Sequence, residues 1–171
     1  LRAFVSISCS SLDLMTFEEY TRFLGEHSFS AVVDMFPLTG KAVLSMTHSV
    51  SYAVINRLFG GQGKADAENR DHSAVETAVL EEIVKHLLPE LRNPWREIVE
   101  IEPAVESVHP NHREIAGIGL NENVAVVIFE VRIGAIDGFM TLCLPACALE
   151  PILERLNDFP GIFPHDAAGE I

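Results

Sequence analysis

Phe29-Ser30-Ala31-Val32-Val33-Asp34-Met35-Phe36 and Lys41-Ala42-Val43-Leu44-Ser45-Met46, joined by Pro37-Leu38-Thr39-Gly40, form the stretch on which the fold turns. Both runs are dominated by large apolar and β-branched side chains, and the short linker holds Pro and Gly, so the spacing predicts a β-hairpin. Directly after it, Val50, Val54, Ile55 and Leu58 recur with the period of a helix. The unit therefore reads strand, strand, helix.

A second unit of the same kind follows later, with strands predicted at residues 124–134 and 139–144 and a helix at 146–157. Ala31-Val32-Val33 has a counterpart in Ala125-Val126-Val127, and a displacement of 98 residues matches Leu44 with Leu142, Arg57 with Arg155 and Leu58 with Leu156. A duplication predicts pseudo-two-fold symmetry, with one sheet drawn from both halves and helices covering it. The matches are few and apolar, so two unrelated units remain the alternative at this point.

Around these units, residues 1–14 alternate loosely as an edge strand. Thr16-Phe17-Glu18-Glu19 places a hydroxyl and a carboxylate at capping-box spacing, which predicts a short helix over 17–24. Ser73-x-x-Glu76 is a second capping box, and it opens the longest apolar stripe, through Val75, Val79, Leu80, Ile83, Val84, Leu87, Leu88 and Leu91, ending near Arg92 before Pro94. Residues 99–109 and 114–118 complete the predicted strands.

The chain has 171 residues, enough for one substantial core. Hydrophobic residues make up 48% and charged residues 22%, which excludes a disordered composition. Twelve Lys and Arg stand against 25 Asp and Glu, and a net charge of −13 disfavours nucleic acid or anionic lipid as partners. Cys9, Cys143 and Cys147 are too few and too irregular for a disulfide scaffold or a zinc site. With no long apolar run and no signal core, the expectation is a protein of a reducing cytoplasm. One domain is expected over 1–158, followed by a flexible tail at 159–171.

Gly60-Gly61-Gln62-Gly63 follows a helix, so its amides do not form the phosphate cradle found at helix N-termini. A glycine cap is one reading, but one glycine suffices for that; three in four positions also suit a backbone surface approached closely by a partner. His109-Pro110-Asn111-His112 reads as a turn rather than a metal site, since no acidic or cysteine ligand lies at a recognisable spacing. Glu81, Glu82 and Glu90 read as the solvated face of the long helix.

Several segments together resemble the middle domain of flagellar motor switch proteins of the CheC/FliY/FliM family. They are Met15-Thr16-Phe17-Glu18-Glu19-Tyr20, Pro37 to Ala42, Asn56-Arg57-Leu58-Phe59-Gly60-Gly61-Gln62-Gly63, Trp95, Phe129-Glu130-Val131-Arg132-Ile133-Gly134, and Leu142-Cys143-Leu144-Pro145 with Leu149-Glu150-Pro151-Ile152. The resemblance implies a three-layer α/β/α sandwich with pseudo-two-fold symmetry and a noncatalytic scaffold role in the cytoplasmic switch ring at the flagellar basal body, without a cofactor. It implies a contact with the FliG middle domain through Arg57, Phe59, Gly60, Gly61, Gln62 and Gly63, and self-association with neighbouring FliM copies around Phe17, Tyr20 and Leu24. FliN and phosphorylated CheY are implied partners of other parts of the full-length proteins.

The family also includes phosphatases acting on CheY-phosphate through Asp or Ser, three residues, Glu, two residues, Asn. Here Glu82 takes the acid position, but Ala78 and Lys85 stand where the polar group and the amide belong. A lysine cannot accept the hydrogen bond that orients an attacking water. On the first helix Met15 and Arg22 flank Glu19, and Glu150-x3-Glu154-x2-Asn157 matches only by coincidence on another helix. The expectation is an inactive copy, with phosphatase as the alternative.

Overall fold

The computed structural model describes residues 5–61 and 70–157. The elements run β1 (Val5–Thr16), α1 (Phe17–Leu24), β2 (Phe29–Phe36), β3 (Lys41–Met46), α2 (His48–Leu58), α3 (Ala74–Trp95), β4 (Glu102–His109), β5 (Asn123–Ile133), β6 (Ile136–Pro145), α4 (Ala146–Leu149) and α5 (Leu153–Asn157). Single 3₁₀ turns occur at His112–Glu114 and Glu150–Ile152. The domain limit at 158 and the tail at 159–171 lie outside the described residues.

The strands form one antiparallel sheet in the order β1-β5-β6-β3-β2-β4. That order is palindromic: β1-β5-β6 and β3-β2-β4 are equivalent three-strand halves meeting at β3 and β6. Leu44 lies directly opposite Leu142 in that central pair, so the 98-residue displacement exchanges two residues that face each other across the pseudo-two-fold axis.

Alternation along the strands sends their side chains to two cores. On one face Ala31, Val33, Ala42, Leu44, Val131 and Leu142 meet Val50 and Ala53 of α2, Leu80, Val84 and Leu88 of α3, and Ala148 and Ile152. On the other, Val43, Val124, Val126, Ile128 and Cys143 meet Phe17, Tyr20 and Leu24 of α1. Helices on both sides of one sheet make the expected α/β/α layering. Two expected capping boxes are present, with the amide of Glu19 donating to Thr16 Oγ1 and that of Glu76 to Ser73 Oγ, each at 3.3 Å.

Three expectations are corrected. Residues 114–118 form no strand: a 3₁₀ turn leads into a loop, and Ile115 and Ile118 plug the α1 side of the sheet. Their three-residue spacing suits a turn that dips twice onto one face, not a strand with period two. The last helix is broken at Pro151, which lacks the amide that would bond the carbonyl of Cys147; that carbonyl accepts from Thr39 Oγ1 at 3.2 Å instead. Leu58, expected in the stripe of α2, is 46% exposed at its end.

The symmetry is incomplete in one layer. Helix α3 lies over β4, whereas Val5, Ile7, Leu12 and Leu14 of β1 point to the same side of the sheet and are exposed.

Candidate functional site

The apolar positions of α2 carry the helix across the sheet and bring its C-terminus out beyond the β5–β6 turn. Its end is closed by a Schellman motif. The amide of Gly61 donates to the carbonyl of Asn56 at 2.8 Å and that of Gly60 to Arg57 at 3.2 Å, with Gly60 at φ +84°. Gly60 is therefore a cap, as one of the two sequence readings held. Gly61 has a different constraint: a Cβ there would lie 2.0 Å from Oδ1 of Asn56.

Fixing the helix end in this way holds two apolar side chains in solvent. Phe59 is 68% exposed and Leu58 46%. Arg57 is half-buried: its Nη2 lies 3.0 Å from where a Cβ on Gly134 would be, against the β5–β6 turn, and its Nε is buried with no hydrogen-bond partner. The structure thus brings Arg57, Phe59, Gly60 and Gly61 to one apex; Gln62 and Gly63 lie outside the described residues. Leu58 and Gly134 belong to this apex and were missed in the sequence. Leu58 fits an apolar stripe equally well, and Gly134 is 77 residues from Arg57 in the chain.

Phe17, Tyr20 and Leu24 do not form a surface. They are 2%, 0% and 5% exposed, inside the core under α1. The Tyr20 hydroxyl donates to Ser45 Oγ at 3.1 Å and lies 2.8 Å from Thr141 Oγ1, while Ser45 also bonds Ser30 at 2.8 Å. Burial raises the Tyr20 pKa well above the usual phenol value. A capping-box helix this short buries its apolar side chains and leaves its charged ones outside, so a neighbouring copy would meet Glu19, Arg22 and Phe23. The Phe23 ring lies 6.4 Å from that of Phe139, which is also exposed.

The phosphatase positions lie on the outer face of α3. Lys85 Nζ binds both Glu81 and Glu82 at 2.9 Å, which raises the lysine pKa and lowers that of Glu82. Glu19 is occupied too, accepting at 2.8 Å from the amide of Thr16 in its capping box. In the 109–112 turn, His109 Nδ1 is 3.8 Å from Glu114, and burial lowers the pKa of His112. Among the described residues no group of three His, Cys, Asp or Glu is placed to hold a metal, and no helix is long and apolar enough to cross a membrane.

Comparison with known proteins follows the same lines. Residues 1–160 match the family model described as flagellar motor switch protein FliM. A FliM of Treponema pallidum is 32% identical over 157 residues, covering 92% of this chain and 46% of that protein. Of the solved structures, the FliG–FliM complex from H. pylori superposes with a TM-score of 0.85 at 31% identity, covering 90% of this chain and 84% of that one. The FliM–SpeE complex from the same organism gives 0.82 at 28%, covering 93% and 83%. The chain spans about half the length of the curated relatives it matches. With fold, capped α2 apex and sequence agreeing over nearly its whole length, this chain belongs to the flagellar motor switch protein FliM family.

Proposed function

We propose that this domain is a noncatalytic scaffold of the flagellar motor switch, which binds FliG through the apex of α2, stands beside copies of itself, and passes the chemotaxis signal on as a change of rotation direction. The observation that carries the proposal is the apex itself: two exposed apolar side chains, Leu58 and Phe59, on a rigidly capped helix end. A well-placed aromatic on a preorganised support is the usual anchor of a protein contact, because little side-chain entropy remains to be lost. The FliG–FliM complex of the H. pylori relative supports the choice of partner. FliN and phosphorylated CheY are assigned to other parts of the full-length protein, which operates at the cytoplasmic face of the basal body.

Nothing at the phosphatase positions favours catalysis. Glu82 is held by a lysine rather than aimed into a cleft, and Ala78 offers no polar atom. Titration of the purified FliG middle domain against this domain tests the proposal. Saturable micromolar binding that is lost on Phe59→Ala supports it, whereas undiminished binding by Phe59→Ala moves the contact elsewhere.

A further inference from the structure

Three imidazoles converge on the far side of α2. His27 lies in the α1–β2 loop, His48 in the first turn of α2, and His72 just before the cap of α3. Ring centroids are 5.8 Å apart for His27 and His48 and 5.6 Å for His48 and His72. The Tyr52 ring lies 4.4 Å from His48 and stacks on His72 at 4.8 Å, and Phe29 closes the other side at 6.2 Å.

Three consecutive residues of the strand-free segment 70–73 enter this cluster, each tied to different elements. Arg70 binds both carboxylate oxygens of Glu76, at 2.9 and 3.0 Å, and lies over the Tyr52 ring. Asp71 meets His27 Nδ1 at 2.6 Å and accepts from Asn111 Nδ2 at 2.9 Å. His72, 5% exposed, has Nε2 2.8 Å from Ser51 Oγ and Nδ1 3.3 Å from the carbonyl of Pro110. His27 itself adopts φ +60°, uncommon for a side-chain-bearing residue and supported here by the Asp71 contact. We propose that this cluster is an acid-released latch: protonation of its imidazoles unseats the 70–73 segment from between α2 and the loop after β4.

The hydrogen bonds define why. Neutral His72 uses both nitrogens, its Nδ1–H donating to the Pro110 carbonyl and its Nε2 accepting from the Ser51 hydroxyl. A second proton on Nε2 makes that nitrogen a donor and places a cation in a buried aromatic site. The groups facing it among the described residues are His48, Tyr52 and Ser51 of α2, Phe29 of β2, Arg70 and Asp71 of the segment, Glu76 of α3, and the Pro110 carbonyl. Burial lowers the His72 pKa, with His48 and Arg70 acting in the same direction and the Pro110 carbonyl and Glu76 opposing. The two nearby carboxylates are already engaged, Glu76 by Arg70 and Asp71 by His27 and Asn111. A depressed folded-state pKa means that the seat is fully stable above the unfolded histidine value of about 6.5 and is lost as pH falls through the lower folded value. The segment separates the α2 apex from α3 in the chain, so its release lengthens the tether between them. The latch stands independently of what the apex binds.

Hydrogen exchange of the whole chain, with an NMR titration of the imidazole protons, tests it. From about pH 7.5 to about pH 5.5, exchange of 70–73, corrected for its intrinsic pH dependence, is expected to rise about tenfold or more while residues 80–88 of α3 keep their protection. The opening midpoint should coincide with the His72 titration, below the ordinary histidine value. His72→Gln, which hydrogen-bonds but does not titrate, should abolish the pH dependence whether or not it holds the seat as firmly. Unchanged protection in the parent, a normal His72 titration, or parent-like pH dependence in His72→Gln would overturn the latch.

Discussion

Gly60 sits at the C′ position of α2 with φ +84°, where a side chain brings Cβ against its own carbonyl. Gly60→Ala is expected to cost about 1 kcal/mol, read from urea unfolding. Gly61→Ala separates stability from binding poorly, because the added Cβ displaces the Asn56 side chain within the same apex. Phe59→Ala is the sharper variant: at 68% exposure its truncation should leave the melting temperature nearly unchanged while FliG affinity falls by about 2 kcal/mol, roughly thirtyfold. Parallel calorimetric titration and melting decide this. Tyr20 offers the opposite case, a residue whose value is internal. Tyr20→Phe leaves Ser45 and Thr141 without their buried partner and should cost about 1–3 kcal/mol without changing FliG binding.

The two capping boxes were legible in the sequence because a cap is a contact between residues three apart, and both helices begin where the spacing placed them. What each helix then presents was not legible. Helix α1 turns Phe17, Tyr20 and Leu24 inward, so lateral association by this element falls to Glu19, Arg22 and Phe23. After replacing exposed Cys9 and Cys147 by serine, the paired variant Arg22→Cys with Glu90→Cys should give ladders of crosslinked multimers in cells; monomer alone, with FliG binding intact, would count against this face. At the start of α3, Arg70 and the cap lower the Glu76 pKa from 4.5 to about 2. The stabilisation from this depressed carboxylate is present above 4.5 and is lost as pH falls towards 2. Glu76→Gln should therefore be less stable than the parent at neutral pH, with the difference closing towards the acid limit of a pH series of unfolding curves.

Across the whole molecule, both faces of the sheet are closed by apolar cores, and the carboxylates at the phosphatase positions are spent on a surface ion pair and a helix cap. A phosphate-release assay with phosphorylated CheY should show no acceleration; an enhancement of about 10² or more, the range of general acid–base catalysis, would reverse the scaffold reading. The hairpin at 29–46, both caps and the pairing of Leu44 with Leu142 were determined by the sequence alone, since short-range hydrogen bonding and side-chain period fix them. The strand order, the side of the sheet each helix covers and the turn at 114–118 were decided by tertiary structure. So was the exposure of Leu58: an apolar stripe says which residues share a helix face, but only the neighbours in space determine where that face runs out of sheet to cover.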